Sequence, residues 1–245
     1  MFLITKKEKQ GSDFKIAILA NDGVSLVSIS KERKMVNMLK VSPEAKLWIP
    51  GGLGWYRNVV IKKILKQENK TDLFEDIVFF NFGFKADKVI LAENVDDWKN
   101  IYWWKLVFGN NFLFKDELVK NDIDLSEDFL NEVMIRDFAE TRVINEDLKL
   151  SIINTTDING LANFMTKRFE RLGFSVILVG NEIGENNKEC QILYGKEAAS
   201  TYSLSLVKKI INCPTKEDVG LNGNEIEIYF DGRFSEVIHY PSYKK

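Results

Sequence analysis

Histidine is nearly missing from this chain: His239 is the only one in 245 residues. That excludes most Ser-His-Asp and Cys-His relays and any multi-histidine zinc centre. Cysteine is almost as scarce. Cys190 and Cys213 are too few for a four-ligand structural zinc site and too far apart for a Cys-x-x-Cys redox pair. As residues alone they read either as two buried apolar thiols or as one disulfide. Neither sign of charge is in excess, since 34 Lys and Arg face 36 Asp and Glu for a net charge of −2. A bulk electrostatic partner such as nucleic acid is therefore not expected. With 15 glycines and 4 prolines the chain is neither fibrous nor of low complexity.

Long apolar runs are absent too. Nothing approaches the ~18–20 residues that span a bilayer. The N-terminal run, residues 2–4, is far short of a signal-peptide core of roughly 7–15 residues. The chain as written is expected to be cytoplasmic. If an anchor or signal belongs before Met1, the expectation becomes extracytoplasmic and envelope-associated.

What is present is an ordinary globular pattern, 45% hydrophobic and 29% charged. A chain of this length is expected to form one large domain or two small ones. Residues 14–20, 24–30 and 35–41 alternate or run apolar as strands, separated by the turn Asn21-Asp-Gly23 and the polar loop 31–34. Residues 46–49 make a short edge strand and 50–54 a loop. Helical spacing is read over 55–66, a buried strand over 77–82, a short helix over 84–91 and acidic helical segments over 113–136.

The second half is clearer. Strands at 148–154, 174–179, 190–194 and 225–230 alternate with helices at 161–172 and 201–211, a β-α-β-β-α-β order. The expected fold class is α/β: two small two- or three-layer α/β domains with mixed sheets and flanking helices. Their bounds are 1–140 and 147–245, with charged residues 140–147 between them.

Within this frame, three stretches carry a resemblance: Leu150-Ser-Ile-Ile-Asn154, Asn159-Gly160-Leu161-Ala162 and Leu172-Gly-Phe-Ser-Val176. They resemble the C-terminal domain of LytR-CpsA-Psr proteins, over about 148–232. The first half, roughly 14–92, is similar to a shortened catalytic domain of the same family. Ile16-Ala-Ile-Leu-Ala-Asn-Asp22, Leu26-Val-Ser-Ile29, Leu39-Lys-Val-Ser-Pro-Glu-Ala45 and Leu47-Trp-Ile-Pro-Gly51 carry that likeness.

The resemblance implies a site where arginines fork onto a polyprenyl pyrophosphate glycan and carboxylates hold Mg²⁺ beside it. Here the family's Pro-Arg-Asp reads Pro43-Glu44-Ala45, and its Arg-Ser-Asp stretch is missing between Gly23 and Val24. Only Asp22 remains of the first carboxylate cluster. The first half therefore reads as a degenerate relative that needs no cofactor.

Other candidate residues are weighed separately. Pro50-Gly-Gly-Leu-Gly54 lacks the Gly-Lys-Ser/Thr ending of a phosphate loop and reads as a plain loop. Arg57, near a helix start, could hold a glycan phosphate, although a solvated surface arginine is the plainer reading. Trp98, Tyr102, Trp103 and Trp104 could stack on sugar faces or simply pack between the halves. Asp96 and Asp97 suit a helix N-cap better than paired catalysis. Cys190 begins a strand and Cys213 follows the helix that returns beside it, so a bridge is possible. The likeness to envelope proteins favours the bridge over two free thiols.

Three functions follow. The leading one is a non-catalytic cell-envelope protein that binds wall glycan or an envelope partner through its C-terminal module. The second is a glycopolymer phosphotransferase using Asp22, Arg57 and Mg²⁺. The third is a cytosolic scaffold. The sequence sets no oligomeric state.

Overall fold

The computed structural model describes residues 13–30, 32–94, 113–119, 126–182 and 189–234. The chain begins with an antiparallel meander, β1 (Phe14–Ala20), β2 (Gly23–Ser30) and β3 (Met35–Val41). A hairpin follows, β4 (Lys46–Ile49) and β5 (Gly54–Arg57), with Trp48 opposite Trp55. A 3₁₀ turn at Asn58–Val60 leads into α1 (Ile61–Gln67), and α2 spans Phe74–Phe82. Strands β6 (Lys88–Leu91) and β7 (Leu113–Val119) then add in parallel to β1 and β3, giving the order β6-β1-β2-β3-β7.

The central position of β2 explains its composition. All eight of its residues are buried, so exposed and buried positions do not alternate, and Val24, Leu26, Val27 and Ile29 are interspersed with small Gly23, Ser25, Ser28 and Ser30. Leu26 belongs to the core that contains α2, while Val27 and Ile29 belong to a separate cluster with Ile16, Ile18 and Met38.

The second half starts at α3 (Glu127–Val133), which runs into a π-turn at Met134–Phe138, and α4 (Thr141–Glu146). Then come β8 (Lys149–Asn154), α5 (Leu161–Leu172), β9 (Ser175–Asn181), β10 (Gln191–Tyr194), α6 (Tyr202–Ile211), β11 (Thr215–Glu217) and β12 (Glu225–Phe230). The sheet order is β11-β10-β12-β8-β9, mixed parallel and antiparallel. Apolar Leu161, Met165, Phe169 and Leu172 share the core face of α5, and Gly173 ends the helix in the left-handed region at φ 101°. Thr201 caps α6 by accepting from the Leu204 N–H at 3.2 Å.

The fold is α/β with mixed sheets and flanking helices. Four local expectations are corrected. Residues 77–82 are helical, within α2. That helix lacks an apolar stripe because both its sides are buried: Ile77, Val78 and Phe82 enter the first-half core and Phe79 enters the second-half core. Residues 84–91 end in strand β6, held by β1 on one side. Residues 113–119 form β7 rather than an acidic helix, because β3 offers them a parallel backbone ladder. The helix read over 55–66 starts only at Ile61, since 54–57 pair with β4.

The halves meet through buried arginines. Arg168 and Arg171 of α5 have no solvent-exposed side-chain surface. Arg168 Nε donates to Phe80 O at 2.8 Å and Arg171 Nη1 to Asn81 O at 3.3 Å, covering carbonyls at the end of α2. Glu127 pairs with both guanidiniums.

Candidate functional site

The residues singled out in the first half gather around the β1–β2 turn. Asp22 sits in that turn, followed by Gly23 at φ 133°. A Cβ on Gly23 would lie 2.3 Å from Asn58 Nδ2, so glycine is required there. Asn58 is fully buried and ties the neighbouring strands together. Its Oδ1 accepts from Val24 N–H at 2.9 Å, and its Nδ2 donates to Val41 O at 2.9 Å and Ser42 O at 3.2 Å.

The Pro43-Glu44-Ala45 turn is pinned by the same element. Asn58 N donates to Ala45 O at 2.7 Å and Val59 N to Pro43 O at 3.0 Å. Ala45 is buried in the core, so no catalytic side chain projects from that position. Glu44 is exposed and pairs with Arg57, whose Nη1 donates to Glu44 Oε2 at 3.0 Å. The Glu44 carboxylate thus engages the Arg57 guanidinium.

Beside the turn is an open depression of about 450 Å³ lined by Asn21, Val59, Lys62, Lys63, Lys66 and Gln67. Lys62 Nζ donates to Ala92 O at 2.6 Å and lies 3.8 Å from Glu93. Asn21 N donates to Glu93 O at 3.0 Å. Lys63 and Lys66 are exposed and make the mouth cationic. In the sequence these lysines mark only helical spacing. Their clustering depends on α1 lying beside the β1–β2 turn, which no local pattern encodes.

The donor set does not fit Mg²⁺. The ion demands near-octahedral oxygen coordination. This corner offers the Asp22 carboxylate, a Glu44 paired with Arg57 and a Glu93 engaged by Asn21 and Lys62. Among the described residues, no group of three or more His, Cys, Asp or Glu is placed to hold a metal.

Trp98, Tyr102, Trp103 and Trp104, with Asp96 and Asp97, lie outside the described residues. Cys190 and Cys213 are joined as a disulfide with Cα atoms 5.7 Å apart, inside the range that unstrained bridges occupy. Cys190 N donates to Asp231 Oδ2 at 3.0 Å. Burial alone raises the Asp231 pKa, but that N–H and Arg233 outweigh it and leave the carboxyl below its usual range.

A second surface lies on the other half. Strand β9 is an edge strand, and its Ile177, Leu178 and Val179 are 53%, 50% and 41% exposed. A register shift opposite Leu150 and Ser151 twists the strand locally. Three consecutive half-exposed apolar side chains on a strand that pairs on one side only among the described residues are uncommon on a free surface. No helix among the described residues is long and apolar enough to cross a membrane.

No curated protein matches the chain. One solved structure, a LytR-CPS2A-psr family protein YwtF (TagT) with bound octaprenyl pyrophosphate lipid, is 19% identical, with 36% of this chain and 39% of that chain covered at a TM-score of 0.29. A second, TagT bound to LIIa-WTA, is 15% identical, with 85% and 94% covered at a TM-score of 0.28. Likenesses this distant carry no argument about the site. The family model described as LytR cell envelope-related transcriptional attenuator matches residues 147–230, and that segment is similar to this family's domain.

Proposed function

We propose that this chain is a non-catalytic cell-envelope protein whose second half, 147–245, binds wall glycan or an envelope protein. The match of residues 147–230 to a cell-envelope domain carries the reading. The exposed apolar run on β9 supports it by offering a contact surface. The first half, 1–140, is on this reading a degenerate relative of the family's catalytic domain. Ala45 is buried where a carboxylate is needed, and Glu44 occupies Arg57. No cofactor enters this function, and an extracytoplasmic location belongs to it.

The test is retention of the full chain on insoluble cell-wall material. The expected result is retention that Leu178→Lys abolishes while the fold stays intact. Passage of the unaltered chain straight through both the wall fraction and an envelope-protein extract would overturn the reading.

The phosphotransferase alternative is favoured by one observation, the cationic depression that opens beside Asp22. It requires Mg²⁺-dependent turnover of a polyprenyl pyrophosphate substrate that disappears in both Asp22→Ala and Arg57→Ala. The expected result is no turnover.

A further inference from the structure

At the seam of the two halves lies a cavity of about 130 Å³. Its walls come from β1, the segment between α2 and β6, the residue before α4, the end of α5, and α6. Lys15 of β1 lines it. That side chain is 2% exposed, and its Nζ has no hydrogen-bond partner. Glu140 Oε2 is 3.7 Å away, an ion-pair distance beyond hydrogen-bond reach. The Phe84 ring centroid is 5.5 Å from the ammonium. An ammonium buried in this way has unfilled donors, which is costly unless an acceptor supplies them. Burial lowers the Lys15 pKa, against the opposing pull of Glu140, Asp13 and Asp87.

Two hydroxyls nearby are committed. Tyr202 OH donates to Glu140 Oε2 at 3.4 Å, and Ser205 Oγ donates to Thr201 O at 3.1 Å. Lys85, which pairs with Glu75, Asp87, which accepts from the Lys15 backbone N–H, and Lys209 also line the cavity, and Ala86, Leu172 and Leu206 supply an apolar wall. We propose that this cavity binds a short aliphatic monocarboxylate, with its carboxylate accepting from Lys15 Nζ and its alkyl part against Ala86, Leu172 and Leu206.

Three features select that class. The unfilled group is a donor, so the ligand must bring acceptors. Lys15, Lys85 and Lys209 line the cavity against Asp87 and Glu140, a formal charge of 3 − 2 = +1, which a monoanion balances and a dianion overshoots. The volume equals that of about four waters, which suits two to four heavy atoms beyond a carboxylate carbon. The site is separate from β9 and from the β1–β2 corner, and it stands whether or not the chain binds the envelope.

Propionate is the probe, titrated into the full chain at constant ionic strength, with sulfate and methylammonium as controls. The expected result is a saturable rise in Tm with propionate alone. In the unaltered protein, nuclear Overhauser contacts should join the propionate methyl to the Leu206 methyls. Lys15→Met should weaken propionate about tenfold or more, the loss of a charge-assisted hydrogen bond. The proposal is overturned if propionate does not saturate, if methylammonium replaces it, or if Lys15→Met binds equally well. Should Lys15→Met fail to fold, the contacts to Leu206 in the unaltered protein decide, and their absence overturns the assignment.

Discussion

Gly83 lies so close to Arg171 that a Cβ on the glycine would come within 2.8 Å of the arginine Cβ, and equally close to the Arg168 carbonyl oxygen. Gly83 also ends α2 in the left-handed region at φ 66°. The turn that closes a first-half helix is therefore also the contact point for a second-half helix. Gly83→Ala should destabilise the protein by about 2–4 kcal/mol, combining left-handed strain with overpacking against backbone. Urea denaturation followed by probes in each half should show the two shifting together. A change under about 0.5 kcal/mol would mean the seam yields at this point.

Glu127 bridges two guanidiniums that have no exposed side-chain surface. Glu127→Gln leaves both arginines without their carboxylate and should cost about 3 kcal/mol, the usual penalty for breaking a buried pair. Burial by itself would raise the Glu127 pKa, but Arg168, Arg171 and Lys167 outweigh it, and the folded value falls below the ordinary 4.5. A carboxyl depressed on folding contributes stability that is complete above its unfolded pKa. That contribution is lost as pH falls through the lower folded value. Unfolding midpoints between pH ~5 and ~2 should therefore fall less steeply in Glu127→Gln than in the parent.

Asn58 accepts from one strand and donates to the next. Asn58→Ala leaves the Val24 N–H and the Val41 carbonyl unmatched and buried, with an expected loss of about 2–3 kcal/mol. Hydrogen exchange at Val24 reports it directly, because that amide should lose protection while the amides of β8 keep theirs. Lys63→Gln, on the exposed face of α1, should stay within about 0.5 kcal/mol of the parent.

The Cys190–Cys213 bridge spans a sequence separation of 23 residues. Thiol titration of unreduced, denatured protein should find no free thiol. Reduction should cost about 3 kcal/mol on the chain-entropy account. Two free thiols in protein purified without reductant would remove the bridge and one support for an extracytoplasmic home.

The second half was almost wholly legible because its elements obey simple periods. Leu161, Met165, Phe169 and Leu172 mark one helical face, and Glu225 to Phe230 alternate as a strand. In the first half the meander was legible and its surroundings were not. Phe79 and Phe82 serve different cores, so the stripe that would identify α2 as a helix is filled in on the other side. Strands β6 and β7 exist because β1 and β3 offer parallel ladders, a contact between residues far apart in sequence. The pairing of Glu44 with Arg57 follows from the β4–β5 hairpin and carries no local pattern. Lys15 did leave a trace, as the single cation inside an apolar strand, but its partner Glu140 is too distant in the chain to be paired with it by inspection.

The arginines of α5 have one more consequence. A helix that packed on its neighbour through leucines alone would turn greasy if the two halves parted. Here the uncovered face would carry Arg168 and Arg171, groups that water solvates readily. Parting therefore trades a desolvated ion network for a hydrated one, but it also bares the socket of Phe79 and Phe80 and the apolar Leu130, Val133, Met134 and Phe138, which pack in the first-half core. A cut between the halves would leave apolar as well as charged faces on both pieces, so the joint holds as a fixed seam.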